Sequence, residues 1–270
     1  MLLTIDVGNT QTVLGLFGPG DGPAGSGTEL AHTWRVATVA SRTADELALQ
    51  LSELFGLHDL DVREEVTGVA VASVVPRLRA ALREVTDRWY RVPTVIVEPG
   101  VRTGMPILYD NPREVGADRI ADAVAAFDRY GGPTIVVDFG TATTFEVVSA
   151  RGEYLGGVIL PGIEISMEAL FSRAALLPRV ELVEPSSVLA KNTVESVQSG
   201  AIYGFAAQVD GLCRRLEEEV GPATVVATGG LASLIGPVAT AVDHHEPWLT
   251  LHGLRLVFER NADRIGARGL

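Results

Sequence analysis

Residues 135–148 read Ile-Val-Val-Asp-Phe-Gly-Thr-Ala-Thr-Thr-Phe-Glu-Val-Val, and the fold prediction starts from this stretch. Its apolar opening is typical of a buried strand, and a second β-rich run, residues 144–148, follows the polar bend of Asp138, Gly140 and Thr141. Glycine lets the backbone turn and approach a ligand closely, while threonine hydroxyls and turn N–H groups can donate hydrogen bonds to phosphate oxygens. The stretch therefore predicts a β-hairpin with a phosphate-binding bend.

The same order of residue types occurs at the start of the chain. An apolar strand leads to Asp6, Gly8 follows in the turn, and a β-rich run returns from Thr12 to Phe17. Asp6 and Asp138 hold equivalent places, which indicates an internal repeat of one supersecondary unit. A single copy favours an ordinary hairpin with an acidic turn, whereas two copies in the same order favour two like domains with a shared phosphate-binding cleft.

Composition and charge narrow the class of protein. The chain has 270 residues, of which 47% are hydrophobic and 21% charged, enough for two modest domains or one large one. Its formal net charge of −12 argues against broad nucleic-acid or membrane-surface binding, because the summed field repels polyanions. No stretch approaches the roughly 18 apolar residues of a membrane span, and no secretory signal pattern opens the chain. We therefore expect a soluble cytoplasmic protein without nucleic-acid or membrane partners.

The sequence contains neither a disulfide pattern nor a transition-metal pattern. Cys213 is the only cysteine and lies in a helix-like stretch, which favours a structural thiol over a nucleophile. The five histidines show none of the spacings that hold zinc or related ions. A phosphate site in this acidic chain can draw its positive potential from backbone N–H groups and bound cations.

The order of the other elements predicts an α/β architecture. The first part of the chain reads β-β-β-α-β-α-β, which favours a mixed sheet flanked by helices. The Gly- and Pro-rich residues 18–27 are expected to form a flexible loop. We expect an N-terminal domain over residues 1–115 and a C-terminal domain over residues 116–270. The pattern leaves open which domain holds the last helix, expected over residues 251–260.

Asp118 has two interpretations at this point. The helical spacing of apolar residues from Ala117 onward places Asp118 and Arg119 in the first turn of a helix. A carboxylate there complements the helix dipole and can cap N–H groups, which requires no catalytic role. The residue type alone favours this structural role over a catalytic one.

Six motifs of the chain occur in the order found in type III pantothenate kinases, which the chain resembles from residue 1 to about residue 261. That family belongs to the acetate and sugar kinase, Hsp70 and actin superfamily. The two Asp-Gly turns alone indicate only the superfamily, whereas the Gly-Ala-Asp-Arg block before the second turn is far more specific. The motifs are residues 6–10, 116–119, 138–143, 157–162, 192–193 and 228–230.

The resemblance implies a fold and an activity. It implies an α/β protein with two ribonuclease-H-like (actin-like ATPase) domains, each a mixed sheet flanked by helices, and a nucleotide cleft between them. It implies ATP-dependent phosphorylation of pantothenate to 4′-phosphopantothenate, the first step of coenzyme A biosynthesis. Mg²⁺ with ATP, a monovalent cation (K⁺ or NH₄⁺) and a homodimer are implied as well.

The resemblance also assigns roles to individual residues. Asp118 corresponds to the general base, Asp138 to the ligand of the monovalent cation, and Asp6 to a residue near Mg²⁺. The ATP-binding positions are Asp6, Val7, Gly8, Asn9, Thr10, Gln11, Thr12, Val13 and Thr141. The substrate-binding positions are Tyr109, Gly116, Ala117, Asp118, Arg119 and Thr193. Arg119 either orients Asp118 or binds substrate, and the sequence does not separate the two roles.

Physical chemistry agrees with these roles, but two other functions stay open. An alcohol is a poor nucleophile until its proton has an acceptor, and phosphoryl transfer needs positioning and charge neutralisation. The alternatives are a superfamily kinase for another small hydroxylated substrate, such as a sugar, and a non-catalytic regulatory accessory protein. Intact Asp118 and Asp138 count against decay of the site, and the chain has no basic helix-turn-helix segment for direct DNA binding.

Overall fold

Two five-stranded mixed sheets form the framework of residues 1–266, the part of the chain that the computed structural model describes. The last four residues of the expected C-terminal domain lie outside the described residues. Within residues 1–266, no helix combines the length and the apolar character that crossing a bilayer requires.

The first sheet begins with an antiparallel meander and continues with parallel strands. Its strands are β1 (Leu2–Val7), β2 (Gln11–Pro19), β3 (Ser26–Ala37), β4 (Gly68–Ser73) and β5 (Thr94–Ile96). Their order is β3-β2-β1-β4-β5, with β4 parallel to β1 and β5 parallel to β4. Every residue of β4 is buried, as expected for a parallel strand that is covered on both faces.

Helices between these strands close the first core. They are α1 (Ala44–Gly56), α2 (Val62–Glu65) and α3 (Pro76–Val85), and a π-helical turn, Thr86–Tyr90, continues α3. A capping box starts α1, because the N–H of Glu46 donates to Thr43 Oγ1 and the N–H of Thr43 donates to Glu46 Oε2. Phe55 of α1 and Leu82 of α3 pack in one buried cluster with Ile5 of β1. Apolar burial on one face of the sheet therefore holds α1 and α3 in place.

The second sheet repeats the first. Its strands are β6 (Thr134–Phe139), β7 (Ala142–Val148), β8 (Tyr154–Pro161), β9 (Thr224–Thr228) and β10 (His244–His245), in the order β10-β9-β6-β7-β8. β6, β7 and β8 form an antiparallel meander, β9 is parallel to β6, and β10 is parallel to β9. β6 thus takes the place of β1 and β9 that of β4, which confirms the internal repeat predicted from Asp6 and Asp138.

Longer helices complete the described chain. They are α4 (Ala117–Tyr130), α5 (Ile163–Arg173), α6 (Thr193–Val220), α7 (Ala232–Ile235) and α8 (Leu249–Gly266). Ile163 of α5 and Phe205 and Cys213 of α6 pack with Ile135 and Phe145 of the second sheet. Burial raises the pKa of the Cys213 thiol to about 12, so this side chain is a protonated structural thiol, as predicted.

Contacts between Cα atoms divide the described chain into two compact units. The first unit contains residues 1–106 and 110–125 and the chain from Thr250 onward, and the second contains residues 107–109 and 126–249. The start of α4 and nearly all of α8 therefore group with the first sheet. The expected domain boundary between residues 115 and 116 stays a prediction, since these units are defined by contacts.

The loop expected over residues 18–27 is wrong in its extent. β2 continues to Pro19 and β3 already begins at Ser26, so only a short turn that includes the 3₁₀ segment Pro23–Gly25 separates them. A Cβ at Gly27 would lie 2.8 Å from the carbonyl oxygen of Pro19. Glycine is needed here for close strand pairing, and its frequency was not a sign of a long loop.

Candidate active site

The first polar bend joins β1 to β2 through residues 8–10. Asp6 pairs with Val13 across the hairpin, and the N–H of Gly8 donates to the carbonyl oxygen of Gln11 at 3.0 Å. The Asp6 side chain is half-buried, and the tip of the bend is exposed. A ligand can therefore reach a carboxylate and a tight backbone turn from solvent.

The neighbouring strand β3 braces this bend. Arg35 Nη1 donates to Gln11 Oε1 at 2.7 Å, and the hydroxyls of Thr12 and Thr38 share a hydrogen bond of 2.8 Å. Sequence reasoning missed Arg35, whose place follows from the register that pairs it with Val13. Arg35 puts a guanidinium beside the bend that the sequence predicts to bind phosphate.

The second polar bend joins β6 to β7 through Gly140 and Thr141. The N–H of Gly140 donates across the bend at 3.1 Å, as the glycine of the first bend does. Asp138 lies opposite Thr144 of β7 and Thr228 of β9. The second bend therefore repeats the first with one residue fewer.

Glycines surround the carboxylate of Asp138. A Cβ at Gly140 would lie 3.4 Å from Oδ2 of Asp138, and a Cβ at Gly229 would overlap Oδ1. Gly229 also has a φ of +92°, in the left-handed region that favours glycine. Position 229 therefore requires glycine on two grounds, and the motif of residues 228–230 lies directly against the Asp138 carboxylate.

The motif of residues 157–162 ends at the same bend. The N–H of Gly162 donates to the carbonyl oxygen of Thr141 at 3.2 Å, and a Cβ at Gly162 would lie 2.7 Å from the carbonyl oxygen of Gly140. α5 begins at the next residue, Ile163. Three motifs that are far apart in sequence therefore meet at one bend of the second unit.

The Gly-Ala-Asp-Arg block, residues 116–119, forms the start of α4 in the first unit. Oδ1 of Asp118 accepts a hydrogen bond from the N–H of Arg119 at 2.9 Å. A Cβ at Gly116 would overlap this same oxygen, so glycine leaves the room that the carboxylate occupies. Asp118 thus makes the helix-end contact of its structural interpretation, and its side chain remains partly exposed to an incoming ligand.

Tyr109 and Thr193 lie in the second unit. The N–H of Leu108 donates to the carbonyl oxygen of Tyr154 at 2.8 Å, and the ring of Tyr109 lies 3.8 Å from a Cβ placed at Gly156 of β8. Thr193 is the exposed first residue of α6. The predicted substrate-binding positions are therefore divided between the two units.

A pocket of about 980 Å³ opens in the second unit between α5 and α6. Its apolar wall includes Met167, Leu170, Leu177 and Phe205, and Thr193 lies at its polar end. A volume of this size accommodates a small-molecule ligand, and the mixture of apolar wall and few polar groups is typical of such sites.

Comparison with known proteins identifies relatives over nearly the whole chain. A family model described as type III pantothenate kinase matches residues 2–215. The type III pantothenate kinase of Streptomyces griseus subsp. griseus is 57% identical and covers 98% of this chain and 100% of its own length. The type III pantothenate kinase of Streptomyces coelicolor is 56% identical with the same coverage.

Solved structures with low sequence identity share the fold. The activator of the 2-hydroxyisocaproyl-CoA dehydratase from Clostridium difficile, with bound ADPNP, aligns with a TM-score of 0.58 at 13% identity, over 98% of this chain and 97% of its own. An archaeal actin homolog aligns with a TM-score of 0.50 at 13% identity, over 98% and 99%. Together with the two mixed sheets, these similarities confirm the actin-like α/β fold class.

Proposed function

Because this chain belongs to the type III pantothenate kinase family, we propose that it transfers the γ-phosphoryl group of ATP to the primary hydroxyl of pantothenate with Asp118 as the general base. An enzyme of this family is a transferase that binds a nucleotide and serves coenzyme A biosynthesis, and the product is 4′-phosphopantothenate. The observation that carries the proposal is the equivalence of the two Asp-Gly bends in a chain that also contains the Gly-Ala-Asp-Arg block.

Asp118 is suited to accept the proton of the substrate hydroxyl. A carboxylate within hydrogen-bond reach makes an alcohol oxygen nucleophilic as the new bond to phosphorus forms. In the proposed step the hydroxyl oxygen attacks the γ-phosphorus, its proton passes to Asp118, and ADP leaves with the electrons of the broken P–O bond. The hydrogen bond from the N–H of Arg119 and the space at Gly116 support a fixed position for this carboxylate.

The first bend fits a magnesium ion that arrives with ATP. Mg²⁺ keeps several waters and usually binds one or two carboxylates together with phosphate oxygens. The half-buried Asp6 carboxylate beside an exposed bend provides such a ligand. When bound, the ion neutralises charge on the phosphates, and the Arg35 guanidinium adds positive potential at the same bend.

The second bend supports a monovalent cation at Asp138. Carboxylate and carbonyl oxygens suit such an ion, and the glycines at positions 140 and 229 let it approach the carboxylate closely. We expect turnover to rise with K⁺ or NH₄⁺, and we expect Asp138→Asn to remove that dependence. Turnover of the unaltered enzyme that is indifferent to both ions would contradict this assignment while leaving the kinase activity standing.

An exposed apolar surface supports a homodimer. Most of the exposed large apolar side chains lie between residues 159 and 194, and Leu176 and Leu189 are 94% and 80% exposed. Concentrated apolar exposure of this kind is typical of a protein–protein interface. Sedimentation equilibrium should therefore give a dimer, and Leu176→Asp with Leu189→Asp should shift it to the monomer. A monomer at micromolar concentration without these changes would contradict the proposal.

The direct test is ADP formation from ATP, Mg²⁺ and pantothenate. Asp118→Asn should lower kcat by about 10²–10⁴-fold, the range that a general base contributes, while ATP binding and thermal stability persist. Asp128→Asn, an exposed carboxylate of the same helix, is the matched control and should keep full activity. Normal turnover of Asp118→Asn would remove Asp118 as the base.

A panel of acceptors tests the substrate. Pantothenate should give a higher kcat/KM than any sugar or polyol, because the family to which the chain belongs acts on pantothenate. A sugar that surpasses pantothenate would make the chain a kinase for that sugar. A folded protein without turnover on any acceptor would favour the regulatory alternative.

A further inference from the structure

Lys191 is the only lysine among the 22 Lys and Arg residues of the chain. It lies in the wall of the 980 Å³ pocket of the second unit, two residues before Thr193. Among the described residues that line this pocket, Lys191 is the only one with a charged side chain. A chain with a net charge of −12 therefore places a single, unopposed positive charge in its largest pocket.

The carboxylates around the pocket are engaged elsewhere. Glu195 of α6 accepts a hydrogen bond from Asn192 Nδ2 at 2.9 Å, and Glu168 of α5 pairs with Arg179 at 3.7 Å. Within residues 1–264, the ammonium group of Lys191 has no ion pair and donates no hydrogen bond to another residue. Its charge is thus available to a ligand in the pocket.

We propose that Lys191 binds the carboxylate of the acceptor substrate and so selects an anionic acceptor over a neutral one. This inference rests on the proposed function, since pantothenate carries its reacting hydroxyl and its carboxylate at opposite ends. The ammonium of lysine is a compact charge with three donors, which suits a carboxylate oxygen in a partly solvated pocket. The negative field of the whole chain repels an anionic acceptor, so a local cation raises its occupancy.

The alternative is an ordinary solvated lysine, and a comparison of two substrates separates the two. Pantothenol keeps the hydroxyl end of pantothenate but has an alcohol in place of the carboxylate. We expect Lys191→Met to raise the KM for pantothenate about tenfold, the effect of losing one hydrogen bond to a charged group, with kcat changed less than twofold. The KM for pantothenol, or its inhibition constant where its turnover is slow, should not change.

Two further variants control for charge and for packing. Lys191→Arg keeps the charge and should restore most of the affinity for pantothenate. Arg179→Met removes an exposed cation that does not line the pocket and should leave both substrates unaffected. Raising the salt concentration should raise the KM for pantothenate in the unaltered enzyme and in Arg179→Met, but not in Lys191→Met, because salt screens an exposed ion pair.

The possible failures are distinguishable by calorimetry of pantothenate binding alongside the kinetics. An unaltered enzyme that neither binds nor phosphorylates pantothenate would overturn the proposed function and this inference together. An active enzyme whose Lys191→Met variant binds pantothenate normally would overturn this inference alone. An equal rise in KM for pantothenate and pantothenol would assign Lys191 a role in the shape of the pocket and would also overturn it.

Discussion

Replacing Gly116 by alanine tests whether the position of Asp118 sets the rate of the reaction. A Cβ at residue 116 overlaps Oδ1 of Asp118, so this oxygen has to move by on the order of 1 Å to reach van der Waals distance. A displacement of that size at a catalytic group costs about 10²-fold in rate. We therefore expect kcat of Gly116→Ala to fall about a hundredfold in a coupled ADP assay at saturating ATP and pantothenate.

The same substitution should cost little stability. The overlapping atom is the end of a short side chain, which rotates away and loses the 2.9 Å hydrogen bond from the N–H of Arg119, worth about 0.5–1.5 kcal/mol. Alanine also restricts the unfolded chain relative to glycine, which offsets about 0.4–1 kcal/mol. The free energy of unfolding of Gly116→Ala, measured by urea titration, should therefore stay within about 1 kcal/mol of the unaltered protein.

Gly211→Ala is the matched control for this experiment. Gly211 lies inside α6 with no atom within 4 Å of its Cβ position, so kcat should not change and stability should rise by up to about 1 kcal/mol. An unchanged kcat in folded Gly116→Ala would refute the link between this glycine and the base. A large loss of stability would show that the backbone moves instead of the carboxylate.

Three further changes probe the two bends and the second core. Gly229→Ala places a Cβ against Asp138 and imposes a left-handed φ, so urea titration should show a loss of about 2–4 kcal/mol, and a loss under 0.5 kcal/mol would contradict the close packing. Arg35→Met, which frees Gln11 from its brace, should raise the KM for ATP about two- to fivefold, and an unchanged KM would exclude Arg35 from the phosphate site. The raised pKa of Cys213 means that the folded state keeps a proton that the unfolded state releases, so its contribution to stability falls as pH rises from 9.0 towards 12. A thiol reagent at pH 8 should accordingly label Cys213 only after unfolding, and rapid labelling of the native protein would contradict this burial.

The features that the sequence predicted correctly are local ones. Asp6 and Asp138 each follow an apolar strand and precede a glycine within two residues, so the two bends can be matched without knowledge of the sheets. The helix that begins at Ala117 follows from the spacing of apolar residues within one segment. A short periodic pattern carries this information because strand and helix geometry repeat over a few residues.

Contacts between distant segments were beyond this kind of reasoning. The motif at Gly229 was visible, but its contact with Asp138 depends on the parallel pairing of β6 with β9, which α5 and α6 separate in sequence. The close approach of Gly253 in α8 to the backbone of Ala121 in α4 is likewise long-range, and it explains why the last helix groups with the first unit. Arg35 was hidden because the expected loop over residues 18–27 obscured the register of β2 and β3.

The two equivalent bends differ in what their neighbouring strands supply, and this difference favours ligands of opposite charge. At the first bend, β3 contributes the cation of Arg35, which favours phosphate oxygens. At the second, the glycine that follows β9 leaves space beside the Asp138 carboxylate, which favours a cation. Because the hairpins themselves have the same pairing and nearly the same length, their backbone cannot produce this difference. We infer that residues outside the repeated hairpin, above all Arg35 and Gly229, decide which ligand each bend accepts.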